Sequence, residues 1–227
     1  MAKPLIVCVV GTRPDAIKTA PVVLELRRYL DVANTIVLAT GQHREMLGQA
    51  LGAFGLRADH DLEIMQHGQT LADVTVRALA GLDSFLGETQ PQLVMAQGDT
   101  TTTFVAGLAS FYRQIPFGHI EAGLRTDSIW SPYPEEFNRR AVSLFARHHF
   151  APTRSAAENL RREGCDSDQI VVTGNTGIDA VQIVSHSANR RWFGDHEGKV
   201  AVLTTHRREN WGEPQHRIAR ACRRLLE

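Results

Sequence analysis

Charged and hydrogen-bonding side chains in this sequence gather directly after short apolar runs. The run Leu5–Val10 leads into Gly11-Thr12-Arg13-Pro14-Asp15-Ala16-Ile17-Lys18. Gly11 permits a tight turn, and Arg13 and Lys18 set two cations at the start of a helix, where the helix dipole also favours anions. That is the chemistry of a phosphate or diphosphate clamp. It follows neither the Walker loop nor the GxGxxG pattern, which weakens the ATPase and NAD readings. A solvated arginine and a surface lysine explain the same residues equally well. Thr35–Ala39 leads in the same way into Gly41-Gln42-His43-Arg44-Glu45, either a polar ligand contact or an ordinary helix N-terminus.

Leu93–Ala96 runs into Gln97-Gly98-Asp99-Thr100-Thr101-Thr102-Thr103. Asp99 is expected at or near a helix N-cap. The threonines are poor helix formers, so a run of them opening a helix suggests hydroxyls presented to a ligand; a capped helix and nothing more is the alternative. Phe117–Ile120 ends in Glu121. A carboxylate finishing an apolar strand is expensive unless it is paired, and Arg125, four residues on, is one candidate partner; a salt bridge and a catalytic acid are both open. In Ser131-Pro132-Tyr133-Pro134-Glu135-Glu136-Phe137-Asn138-Arg139, the two acids open a helix, where acids are favoured anyway. That explains one of them better than both. Thr205-His206-Arg207-Arg208-Glu209-Asn210 mirrors the first loop, and His206 is a candidate hydrogen-bond donor to phosphate or a general acid. The 10 histidines show no HExxH or comparable spacing, so no metal and no cofactor is expected.

Elements that would position these groups alternate along the chain. Most of the apolar runs named above, with His149–Ala151, Ile170–Val172 and Val200–Thr204, are short and apolar throughout, as expected of strands buried on both faces of a parallel sheet. Helical stripes lie between them: Leu71, Val74, Ala78, Leu79, Leu82 and Leu86; then Val105, Leu108, Ala109 and Tyr112; then Phe137, Ala141, Leu144 and Phe145. Repeated strand–helix units imply a doubly wound, Rossmann-like α/β sheet. Residues 1–185 are read as that domain, the polar stretch 186–198 as a linker, and 199–227 as the first strand and helix of a second, truncated domain. Ile218, Ala221, Cys222, Leu225 and Leu226 form a stripe that one strand and one helix cannot bury. The alternative is that this strand and helix extend the first sheet.

Composition sets the outer limits. The chain has 227 residues, with 25 basic and 25 acidic side chains and a net charge of zero, which argues against a dedicated nucleic-acid binder. The arginines of the last helix, from Arg217 to Arg224, are read as a solvated face. The apolar run Leu5–Val10 is too short for a signal-peptide core or a membrane helix. Cys8, Cys165 and Cys222 form no CxxC pattern, so reduced thiols and a cytoplasmic location are expected.

Together the phrases GTRPDAIKTAP, TGQHREML, GDTTTT, GHIEAGLRT, SPYPEEFNRR, TGNTGIDA and THRREN closely resemble the non-hydrolysing UDP-N-acetylglucosamine 2-epimerases, in the family's order and over essentially the whole chain. The resemblance implies the N-terminal half of a GT-B-like pair of Rossmann-type domains, with the site between them, and usually a homodimer. It implies interconversion of UDP-GlcNAc and UDP-ManNAc by elimination and re-addition of UDP. By matched position it implies Asp99, Glu121 and Glu135 as the carboxylates and Arg13, Lys18 and His206 as groups that bind or stabilise UDP. Gln42, His43, Arg44, Thr101, Thr102 and Arg139 would complete the substrate contacts. The family is longer than this chain, so the isolated chain is expected to be weakly active or inactive. A hydrolysing epimerase, a GT-B glycosyltransferase and a non-catalytic nucleotide-sugar-binding fragment are the alternatives.

Overall fold

The computed structural model describes residues 3–41, 44–64, 66, 68–187, 197–205 and 211–226. The chain divides into two compact units, Met1–Ala188 and Asn189–Glu227.

In the first unit the apolar runs become strands: β1 (Leu5–Val10), β2 (Asn34–Ala39), β3 (His60–Asp61), β4 (Leu93–Gln97), β5 (Phe117–Ile120), β6 (His148–Ala151) and β7 (Ile170–Val172). They form one seven-stranded sheet in the order β3-β2-β1-β4-β5-β6-β7, and every pairing is parallel. Successive side chains leave opposite faces. Cys8, Val10, Val37, Ala39, Met95 and Ile120 meet α1 (Arg13–Leu26), α2 (Arg44–Gly52) and α7 (Thr176–Ser187). Val7, Val9, Leu38, Val94, Ala96 and Phe117 meet α3 (Leu71–Thr89), α4 (Thr101–Tyr112) and α5 (Glu135–Ser143). The helix α6 (Arg154–Arg162) seats Ala156, Ala157 and Leu160 against Ala151 and Ile170. With helices on both faces the strands must be apolar on both sides, and this is the doubly wound, Rossmann-like arrangement. The strand order reverses between β1 and β4. Helices leave those two strands on opposite faces, and the carboxyl ends at such a reversal are where open α/β sheets place their ligands.

Several expectations are corrected. β3 carries no apolar run; two residues pair with Leu38 and Ala39 and suffice. Tyr112 was placed on a core-facing stripe but is 63% exposed. The buried residues of α5 are Glu136, Asn138, Val142 and Ser143, whereas Phe137 and Leu144 are exposed. Hydrogen bonding to neighbouring loops decides how this helix lies. Residues 199–205 form no strand. A strand exists only through a ladder to a neighbour, and the described part of the second unit holds a single regular element, α8 (Glu213–Leu226). Leu225 of its apolar stripe is 84% exposed.

One glycine fixes how α6 meets the site. Gly123 has φ +88°, and a Cβ there would lie 2.2 Å from the Ala156 carbonyl oxygen, a backbone atom. Gly123→Ala is expected to destabilise the chain by about 3 kcal/mol or more, through a backbone clash added to strain. Gly174→Ala, with φ +85° but open space around it, should cost only about 1 kcal/mol. Urea denaturation of the two variants checks the difference.

Candidate functional site

Glu121 directly follows β5 with φ +66°, a left-handed backbone that is uncommon for a residue with a side chain and a recognised form of local strain. The side chain is 10% exposed and receives donors from three parts of the fold. Lys18 Nζ on α1 lies 2.9 Å from Oε1 and 2.7 Å from Oε2. Asn175 Nδ2, just before α7, donates to Oε1 at 3.0 Å, and Gln97 Nε2, at the end of β4, donates to Oε2. Arg125 is therefore not the partner of Glu121. Its guanidinium holds Glu163 at 2.5 Å and donates to Ser143 Oγ at 2.9 Å, because Arg125 lies on the α5–α6 side of the loop and Glu121 on the α1 side. Lys18 is correspondingly engaged by a carboxylate and does not stand as a free phosphate ligand.

Asp99 follows β4. The N-cap of α4 is Thr100, whose Oγ1 accepts from the Thr103 N–H, so Asp99 is not the cap. Its carboxylate instead meets Arg139 Nη2 at 2.6 Å. Burial pushes the Asp99 carboxyl above the usual range; Arg139 pulls it back, the charges of Glu135 and Glu121 push it further up, and Lys18 opposes them. A carboxyl whose proton affinity burial raises, beside two other acids, is suited to acid–base work.

The two acids that open α5 have separate duties. Glu136 is fully buried, accepts from Arg140 Nε at 2.7 Å and the Thr126 N–H at 3.1 Å, and sits 3.5 Å from Arg139 Nη1. It ties α5 to the loop after β5 and keeps Arg139 in place. Glu135 is half-buried and is the member of the pair whose charge reaches Asp99.

The remaining expected residues lie at different places. Arg13 is exposed and lines a cleft of about 450 Å³ with Ile17, Phe54 and Val181. Thr101 lines a second cleft, of about 390 Å³, with Phe104, Trp130, Tyr133 and Phe137. The sequence reading missed this aromatic wall, in which Trp130 and Tyr133 stack at 6.0 Å; its signal was two aromatics flanking Pro132. Thr102 is turned inward, 1% exposed, with its Oγ1 3.4 Å from Thr40 Oγ1. A Cβ on Gly11 would overlap it, so as placed it serves the contact of α4 with the β1 loop. Gln42, His43 and His206 lie outside the described residues, as does the side chain of Arg44, whose backbone opens α2.

Asp15, Gln97 and Asn175 were not singled out as site residues. Asp15 is 3% exposed, and its Oδ2 accepts from the Gly11 and Thr12 N–H groups and from Thr100 Oγ1, joining the β1 and β4 loops. Burial pushes its carboxyl from 3.8 up to about 6, against those hydrogen bonds. The folded chain thus binds this proton more tightly than the unfolded chain does. The resulting stability is present below the unfolded value and is lost as pH rises through the folded one, on the order of 3 kcal/mol. Asp15→Asn should remove this dependence. Relative to wild type, its unfolding free energy should rise between pH 4 and pH 7, and urea titrations at the two pH values measure that.

The family model described as UDP-N-acetylglucosamine 2-epimerase matches residues 25–227. The UDP-N-acetylglucosamine 2-epimerase of Bacillus subtilis (strain 168) is 47% identical over 228 residues, which cover 100% of this chain and 60% of that protein. The S. aureus MnaA–UDP co-structure superposes with a TM-score of 0.89 at 44% identity, over 98% of this chain and 59% of that one. The crystal structure of the Neisseria meningitidis UDP-GlcNAc 2-epimerase bound to UDP-GlcNAc gives 0.77 at 48% identity, over 81% of this chain and 50% of that one. The chain spans about 60% of the length of the curated relatives it matches.

Proposed function

The chain belongs to the UDP-N-acetylglucosamine 2-epimerase family, and from that premise we propose that it carries the acid–base machinery for interconverting UDP-GlcNAc and UDP-ManNAc. The observation that carries the reading is the pair of strand-end carboxylates, Asp99 with Arg139 at 2.6 Å and Glu121 with Lys18 at 2.7 Å, close enough for the Glu121 charge to act on Asp99.

The sugar C2 proton is not next to a carbonyl, so direct deprotonation is very hard. Elimination avoids this. The C1–O bond breaks and its electron pair leaves with UDP, while the C2 proton passes to a carboxylate and a C1=C2 double bond forms. Re-addition of UDP at C1 and protonation of C2 from the opposite face give the epimer. The sequence needs one acid–base group on each face of C2, which Asp99 and Glu121 supply, with Glu135 tuning Asp99. Arg13, with Gln42, His43, Arg44 and His206, is assigned to the nucleotide diphosphate, whose departure cations stabilise. Lys18 and Arg139 hold the two carboxylates, Thr101 faces the sugar, and Thr102 supports the loop. Residues 199–227 are read as the opening of a second α/β domain, and the working form as a cytoplasmic homodimer.

The test is proton NMR of UDP-GlcNAc in D₂O with this chain, alone and joined to the C-terminal remainder of the Bacillus subtilis relative. Deuterium at C2 together with UDP-ManNAc supports the proposal. Free N-acetylmannosamine would mean a hydrolysing enzyme instead, and an unchanged substrate with both forms would overturn the reading.

A further inference from the structure

His119 lies in the middle of β5, is 0% exposed, and places Nε2 2.7 Å from the Gly98 carbonyl oxygen. A carbonyl oxygen only accepts, so this nitrogen carries the proton. Among the described residues the other ring nitrogen, Nδ1, has no hydrogen-bond partner, and neither has Nδ1 of His149, its register neighbour on β6. A fully buried ring with an orphaned nitrogen is costly where a leucine would fill the space, so the single bond that His119 makes calls for a purpose.

The Gly98 carbonyl belongs to the peptide that carries Asp99. That stretch is held from every side. Gly98 N–H donates to the Ile120 carbonyl at 2.9 Å, Thr103 Oγ1 donates to the Gln97 carbonyl at 2.7 Å, and Asn138 Nδ2 donates to the Asp99 carbonyl at 2.8 Å. Gly98 itself sits at φ +81°, which alone would leave the turn free to reorient.

We infer that His119 is a positioning residue: as a neutral Nε2–H donor to Gly98 it locks the peptide plane before Asp99, and so sets the depth at which the Asp99 carboxyl meets Arg139. The inference deepens the acid–base reading of Asp99 and rests on it only for its consequence in turnover. The charged groups around the pair are Arg139 and Glu135 from α5, Glu121 from the end of β5 and Lys18 from α1 at Asp99, with His149, Arg125 and Arg139 acting on His119. Burial holds the His119 imidazole down to about 4, so the ring is a neutral donor at neutral pH.

The test needs no turnover and uses the chain as it is. Nitrogen-15 NMR of histidine-labelled protein reads the tautomer, and carbon-13 NMR of aspartate-labelled protein, with Asp99→Asn to assign the signal, reads the Asp99 titration. Wild type should show His119 protonated on Nε2. His119→Phe should let Asp99 reach water and move its midpoint down by about half a pH unit or more. His119→Gln, which keeps an N–H donor, should hold the midpoint near wild type. A proton on Nδ1 in the wild type overturns the proposal even if the phenylalanine variant fails to fold. So does a folded phenylalanine variant whose Asp99 titration is unmoved. Neither result depends on epimerisation, so failure here is distinguishable from failure of the proposed function.

Discussion

Glu121→Gln and Asp99→Asn are each expected to lower epimerisation by about 10²–10⁴-fold, the usual loss when one acid–base partner is removed. Both replacements preserve shape and remove the group that carries the proton. Neither should unfold the chain. The Lys18 side chain is 33% exposed, so water can take over its solvation when Glu121 loses its charge, and Gln97 and Asn175 still have amide oxygen and nitrogen to bond. The two losses should not multiply, because one step needs both groups at once. Deuterium exchange at C2 separates their roles: if the carboxylates serve opposite faces, one variant loses exchange mainly from UDP-GlcNAc and the other mainly from UDP-ManNAc. Glu163→Gln breaks the Arg125 pair on the far side of the loop and is expected to leave turnover unchanged. Wild-type rates in either Glu121→Gln or Asp99→Asn would remove that residue from the mechanism.

The sheet was legible because buried parallel strands leave a plain mark, short runs apolar on both faces, and Leu5–Val10 and Leu93–Ala96 each carried it. Val200–Thr204 carries the same mark without forming a strand, since an apolar run records a preference and a strand also needs a neighbour. His60–Asp61 is the converse, a strand made by its neighbour with no mark of its own. At the site, position along the chain was legible and partnership was not. Lys18 and Glu121 are 103 residues apart, and no local spacing shows that a left-handed turn brings one to the other, so Arg125 stood in as the nearer cation. Asp99 was expected at or near the cap of α4, and it lies one residue before it, because the adjacent Thr100 hydroxyl takes that role. Phe137 and Leu144 looked like the inner face of α5 because periodicity counts apolar residues. It cannot see that Glu136 and Asn138 bind backbone groups of two other loops.

Acidification from pH 7 to pH 4.5 is expected to destabilise the chain by several kcal/mol, and His119 and His149 are the largest source. They pair across β5 and β6, are 0% and 1% exposed, and burial lowers each ring from 6.5 to about 4. The unfolded chain therefore binds these protons more readily than the folded chain. The stability is fully present above the unfolded value and is lost as pH falls towards the folded one, roughly 3 kcal/mol for each ring. Asp15 acts in the opposite direction over much of the same window, but it is one group against two. His149→Phe tests this without touching the Gly98 bond. Urea titrations should show that the variant loses about half as much stability through the histidines as wild type does over this range. An equal acid loss in both proteins would place the sensitivity in the surface carboxylate pairs instead, and raised salt would then change it, because exposed pairs are screened and buried imidazoles are not.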